Sequence, residues 1–276
     1  MRKLLILFVL LTFSFISNAF DRFEFVTSCK EAYKDGIKAY QIAREEYGLS
    51  GEKADILANM ILSLLTNEDF LNYSYTKMSS EGDLNSVTNK NDFVQKFAAS
   101  FMNSVNSVME KGLVRLSADE IRFNFEYALA RLKQHRANKY YDVCKAFGLG
   151  DFRLVSATDI QNAAKTAYID MSVRELRIFS DLMLKAVNAE IREFPKRKTL
   201  STAETALAET KFAQYVQDRM LKLPQGDLIR ISDAFSNLYT ANPKDSCDAA
   251  ILSVEAALED KGPTGDKILL YLLLAQ

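Results

Sequence analysis

The chain has 276 residues, of which 48% are hydrophobic and 26% charged, and its formal net charge is -1. This is the composition of a globular protein, with no basic excess to hold nucleic-acid phosphates. One His and no Trp exclude a His-rich metal site and a catalytic His pair by counting, and ten Gly and four Pro are few for a turn-rich sandwich, a barrel or a glycine-rich nucleotide fold.

Met1-Arg2-Lys3 is a basic start, and Leu4 to Ile16 is an apolar run broken only by Thr12 and Ser14. Ser17-Asn18-Ala19 then places small residues where a signal peptidase reads. This order predicts a secretory signal peptide over 1–19, cleaved after Ala19, with a mature chain from Phe20 in the periplasm or outside the cell. The alternative is an uncleaved anchor, although the run falls short of the roughly 20 apolar residues a spanning helix needs. No transmembrane span is expected after cleavage.

Steps of three and four through Phe23, Val26, Tyr33, Ile37, Tyr40, Ala43 and Tyr47 predict one helix over 22–47, stopped by a left-handed Gly48 with Leu49 behind it. Ile56, Leu57, Met60, Ile61, Leu64 and Leu65 predict a helix over 51–65, and a short one follows over 67–78. Residues 79–91 are polar and read as a loop. Phe93, Phe97, Phe101, Val105 and Val108 predict a helix over 92–111 that stops at Gly112.

Four helix starts carry a capping box, in which a Ser and an acid three residues on satisfy each other's free backbone N–H groups. The pairs are Ser117/Glu120, Ser156/Asp159, Ser172/Glu175 and Ser201/Glu204. Hydrophobic staples accompany three of them: Leu116/Ile121, Val155/Ile160 and Met171/Leu176. Asn242-Pro243 offers a further start, with Pro at the first helical position. These signals place helices over 118–147, 157–170, 173–194, 202–222, 228–240, 243–260 and 265–275, with a bend expected among the polar residues His135 to Lys139. The fold class is all-α, a globular bundle of about ten or eleven helices with no segment that reads as a strand. Residues 20–276 are expected to form a single all-α domain, the alternative being a two-lobe division at Gly148-Leu149-Gly150-Asp151, near 148–151.

Cys29, Cys144 and Cys247 all lie on apolar stripes and should point inward. In an oxidising compartment one interhelical disulfide is expected, with Cys144–Cys247 favoured because both lie near helix ends; the alternative is three buried thiols. His135 and Cys144 would face opposite sides of a continuous helix, which argues against a Cys–His dyad. Tyr33, Tyr40 and Tyr47 recur at seven-residue steps and form either a packed helix face with hydroxyls at its rim or a Tyr-rich face that binds a partner. The run Arg192-Glu-Phe-Pro-Lys-Arg-Lys198 reads as a basic helix end followed by a Pro-led, solvated loop, the alternative being a binding patch. The dense apolar run Ile268 to Ala275 reads as a buried terminal helix or as a tail for docking.

No zinc-hydrolase, c-type haem, nucleotide-loop, Gly-x-Ser-x-Gly or calcium-loop pattern occurs, so neither a metal site nor a cofactor is expected. A carboxylate pair of the glycosidase kind is not removed by counting, but Glu120, Asp159, Glu175 and Glu204 already serve as caps. Cys29 to Tyr40 (CKEAYKDGIKAY) resembles a stretch of secreted helical immunity proteins that neutralise periplasmic toxins of rival bacteria. It departs from them in its Cys spacing, in the missing Cys-Pro portion and in its greater length, so the chain is not assigned to that family. The expectation is an exported helical interaction protein with a protein partner and no catalysis of its own, of inhibitor or immunity type. The alternatives are a helical carrier of a lipid or other apolar ligand, and a carboxylate-dependent cell-wall hydrolase.

Overall fold

The computed structural model describes residues 22–80, 105, 107–151 and 155–275. The expected signal peptide, most of the 79–91 loop and most of the 92–111 helix lie outside the described residues. The described part is all-α: it contains thirteen helical elements and no strand. Their order is α1 (Arg22–Tyr33), α2 (Ile37–Gln41), a π-helical turn (Ile42–Glu46), α3 (Gly51–Leu65), α4 (Glu68–Ser80), α5 (Ala118–Ala137), α6 (Tyr141–Leu149), α7 (Ala157–Asp170), α8 (Val173–Ile191), α9 (Thr202–Met220), α10 (Gln225–Ser236), α11 (Pro243–Ala257) and α12 (Pro263–Leu274). Residues 107–113 are also helical. None of the described helices is long and apolar enough to cross a membrane.

The count exceeds the expected ten or eleven because two long periodic segments break. The apolar spacing over 22–47 is continuous, but Gly36 sits at φ 72°, and its carbonyl accepts the N–H of Tyr40 as a new helix begins. A π-type bond from the Tyr47 N–H to the Ile42 carbonyl then shifts the register again. The segment 118–147 breaks where a bend was expected, with Lys139 held at φ 61° and the Tyr140 N–H bonded to the His135 carbonyl. Gly48 does stop its helix in the left-handed conformation at φ 67°, with Leu49 buried behind it.

Ser117, Ser172 and Ser201 each form the full reciprocal capping box with Glu120, Glu175 and Glu204. The Ser156 hydroxyl accepts the Asp159 N–H and donates to the Asp159 carboxylate. The staple residues Leu116, Ile121, Met171 and Leu176 are buried. Glu204 is held down at about 2 by the Ser201 backbone N–H, the Ser201 hydroxyl and Lys267. Asn242 caps α11 through the Lys244 N–H, with Pro243 at the first helical position. Two starts came earlier than expected, both from Pro: Pro224 precedes α10, and Pro263 is the first residue of α12.

The chain divides into two compact units. The first comprises the described residues of Met1–Arg115 with Tyr168–Lys196; the second comprises those of Leu116–Ala167 with Arg197–Gln276. The Gly148–Asp151 stretch ends α6 inside the second unit, with Gly150 left-handed at φ 65°. In the first unit, α8 packs on α3 and α4, and Leu57, Phe70, Leu71, Leu113 and Leu176 are fully buried. The helical turns at 107–113 end one residue past Gly112, and that glycine also lets them touch α8. A β-carbon there would stand 1.9 Å from the Ala186 carbonyl oxygen.

In the second unit α11 packs against α5, α6, α9 and α10. One face joins Cys247 and Ile251 to Leu132 and Cys144, and another sets Ala249 and Leu252 against Ile231 and Ala234. Such a helix, apolar on more than one face, is the expected central element of a small helical core. The apolar run that begins at Ile268 forms most of α12, and Ile268, Leu269 and Leu270 are buried.

Candidate functional site

The second unit presents a polar concavity of about 240 Å³ where α10 turns into α11, lined by Arg230, Asp233, Ala234, Asn237, Thr240, Ala241, Asn242 and Asp245. The hydrophobic spacing of α10 turns Ile231 and Ala234 inward, which leaves Asp233 and Asn237 on the outer side. Arg230 lies at the concavity's charged end and pairs with three carboxylates: Asp245, Asp227 at 3.1 Å and Asp248 at 2.9 Å. Asp248 is buried and also meets Arg136 at 2.5 Å. A carboxylate this deep needs its cations, since an unpaired buried charge is costly. Arg230 and Arg136 therefore offset much of the negative charge that Asp227, Asp245 and Asp248 bring together.

The loop between α10 and α11 is held from α6. Lys145 donates to the carbonyls of Tyr239 at 2.6 Å and Ala241 at 2.9 Å. The neighbouring residue, Cys144, is bonded to Cys247 across a sequence separation of 103. Both sulfurs are fully buried. α6, α11 and the loop are thus tied together covalently and by charge-assisted hydrogen bonds. Two large apolar side chains stand in solvent, Ile229 of α10 at 58% and Tyr239 of the loop at 62% exposure. They flank Arg230 and Thr240 in sequence. Neither residue belongs to a sequence motif, so the sequence analysis did not single them out.

The disulfide joins the favoured pair, Cys144 and Cys247, while Cys29 is a free and buried thiol. Burial pushes the Cys29 thiol up to about 12, so it stays protonated. His135 lies on α5 and Cys144 on α6, so the single-helix geometry used to separate them does not apply. His135 is buried, packs edge-on against Phe147 and is pushed down to about 4 by burial and by the Arg131 charge.

The three tyrosines do not share one helix. Tyr33 ends α1, Tyr40 lies in α2 and Tyr47 follows the π turn. Tyr33 is buried, and its hydroxyl is pushed up by burial and by the neighbouring Cys29. Tyr40 is half-buried beneath the Arg44 guanidinium, 5.8 Å from the ring centre. The Tyr47 ring meets Tyr168 edge-on at 5.1 Å, and burial with the Glu46 charge pushes its hydroxyl up.

Among the described residues no group of three His, Cys, Asp or Glu side chains is arranged to hold a metal ion. Comparison with known proteins gives no match: no family model, no curated protein and no solved structure is similar to the chain.

Proposed function

We propose that the chain is an exported helical binding protein, without catalysis of its own, that engages a protein partner through the rim of the α10–α11 concavity. The observation that carries this reading is Tyr239, a large side chain held in solvent on a loop that Lys145 braces, with Ile229 of α10 also exposed next to the lining residue Arg230. An apolar anchor flanked by polar groups is how protein contacts concentrate their energy, and bracing lowers the entropy lost on binding. The Cys144–Cys247 bond fits an oxidising compartment and so agrees with export. The carrier and hydrolase readings have no comparable support: Ile268 to Leu270 are core, and Asp227, Asp245 and Asp248 are tied to Arg230.

The test is native mass spectrometry of protein purified gently from the exported fraction. A chain beginning at Phe20 in a complex of fixed stoichiometry is expected. Ile229→Asp and Tyr239→Ala should each release the partner without lowering the melting temperature. A chain that keeps its first nineteen residues, or a complex indifferent to both substitutions, would overturn the proposal.

A further inference from the structure

The end of α8 in the first unit is built against local preference. The Glu193 N–H bonds the Glu190 carbonyl at 3.1 Å, and the Phe194 N–H bonds the Ala189 carbonyl at 3.0 Å. This is the paired bonding of a Schellman stop, in which the left-handed residue is usually Gly and the next apolar residue folds back onto the helix. Neither preference is met. Glu193 occupies the left-handed position at φ 52°, a conformation that costs a non-glycine residue about 1 kcal/mol or more. Phe194 stands in solvent at 76% exposure.

The tip is also braced from below. Arg115 is buried, pairs with Glu190 at 2.8 Å and donates to the Pro195 carbonyl at 2.9 Å. The Arg115 N–H in turn bonds the carbonyl of Gly112, the residue in close contact with α8. The chain neighbours of Phe194, namely Arg192, Glu193, Pro195 and Lys196, are all exposed, and the sequence continues with Arg197. Glu190 is spent on Arg115, so Glu193 is the one acid within the tip itself, against Arg192 and Lys196.

We infer that this tip is a contact for an anionic lipid surface, with Phe194 entering the headgroup layer and Arg192 and Lys196 meeting the lipid phosphates. A bilayer is favoured over a protein because the tip is one projecting ring bordered by cations. A fluid headgroup layer closes around such a projection, whereas a protein would need a pocket shaped to it. An apolar Phe ring gains by burial at the headgroup–acyl boundary, and basic residues near an anionic surface add attraction that salt screens. The inference is independent of the protein-binding reading, which concerns the other unit.

The test is co-flotation of the full chain with vesicles of equal parts phosphatidylglycerol and phosphatidylcholine, compared with vesicles of phosphatidylcholine alone. Flotation with the anionic vesicles only, reversed by high salt, is expected. Phe194→Ser should lower the bound fraction several-fold, and Arg192→Gln and Lys196→Gln should each lower it about fivefold. All three side chains are in solvent, so unchanged circular dichroism and melting should accompany the loss. Absence of flotation with anionic vesicles overturns the inference and leaves the tip to an acidic protein partner. Flotation unaffected by all three substitutions overturns it as well.

Discussion

Gly148 and Ala250 touch so closely that a β-carbon on the glycine would stand 2.4 Å from the Ala250 Cβ. This contact brings α6 onto α11 one turn beyond the Cys144–Cys247 bond, so the two helices are joined covalently at one point and pressed together at the next. Gly148→Ala is therefore expected to destabilise the second unit by about 1–3 kcal/mol, the usual cost of overpacking. Urea denaturation measures it. Adding Ala250→Gly should return part of the loss, since the clash is between these two side-chain positions. Gly112→Ala meets backbone at 1.9 Å rather than a methyl group, and the same reasoning predicts a larger loss with no single-residue rescue.

Replacing Cys144 and Cys247 together by Ala should lower the stability of the second unit by about 5 kcal/mol in the chain-entropy model, because the bond closes a loop with a separation of 103 residues. The unfolding transition of this unit should move with the substitution, and under reducing conditions the parent should approach the variant. Cys29→Ala should leave that dependence on reductant intact, since Cys29 is the free thiol.

Asp248 is the buried member of the Arg230 cluster, and Arg136 depends on it too. Asp248→Ala is expected to cost about 2 kcal/mol, the range for hydrogen bonds and pairs that involve charged groups. Asp227→Ala should cost less, because its carboxylate is 48% exposed and Arg230 keeps two other partners. A comparison of the two urea midpoints checks the order.

His135 gives the stability a pH dependence of known sign. Its folded value is pushed from 6.5 down to about 4, first by burial and then by Arg131. Between those values the unfolded chain holds the extra proton, so acid favours unfolding there. The stability from a neutral buried ring is fully present above about pH 6.5 and is lost as pH falls towards 4, with a slope of at most about 1.4 kcal/mol per pH unit. His135→Phe removes the titrating group and should flatten the profile over that window, whatever it does to stability at neutral pH.

The features legible in the sequence are those whose physics is local. Ser117, Ser172 and Ser201 cap their helices because Glu120, Glu175 and Glu204 lie within reach along the same few residues. Helices over 51–65 and 157–170 follow directly from apolar spacing and cap chemistry. The break at Gly36 was hidden because the spacing from Tyr33 to Tyr47 continues through it, and periodicity does not register one left-handed residue. Much of the candidate site was hidden too. Ile229 and Tyr239 follow no motif, and Lys145 bonds carbonyls that any residue could offer.

The all-α class and most helix starts follow from local order along the chain, since hydrogen-bond capping and amphipathic spacing act over one or two turns. The same spacing turns the three cysteines inward, by placing each on an apolar stripe. Packing between distant segments is what makes Gly112 and Gly148 close-contact positions and lets Arg230 gather Asp245 and Asp248 from the next helix. It likewise places Phe194 outside the core. These outcomes depend on distances between residues far apart in the chain, which packing sets and local spacing does not encode.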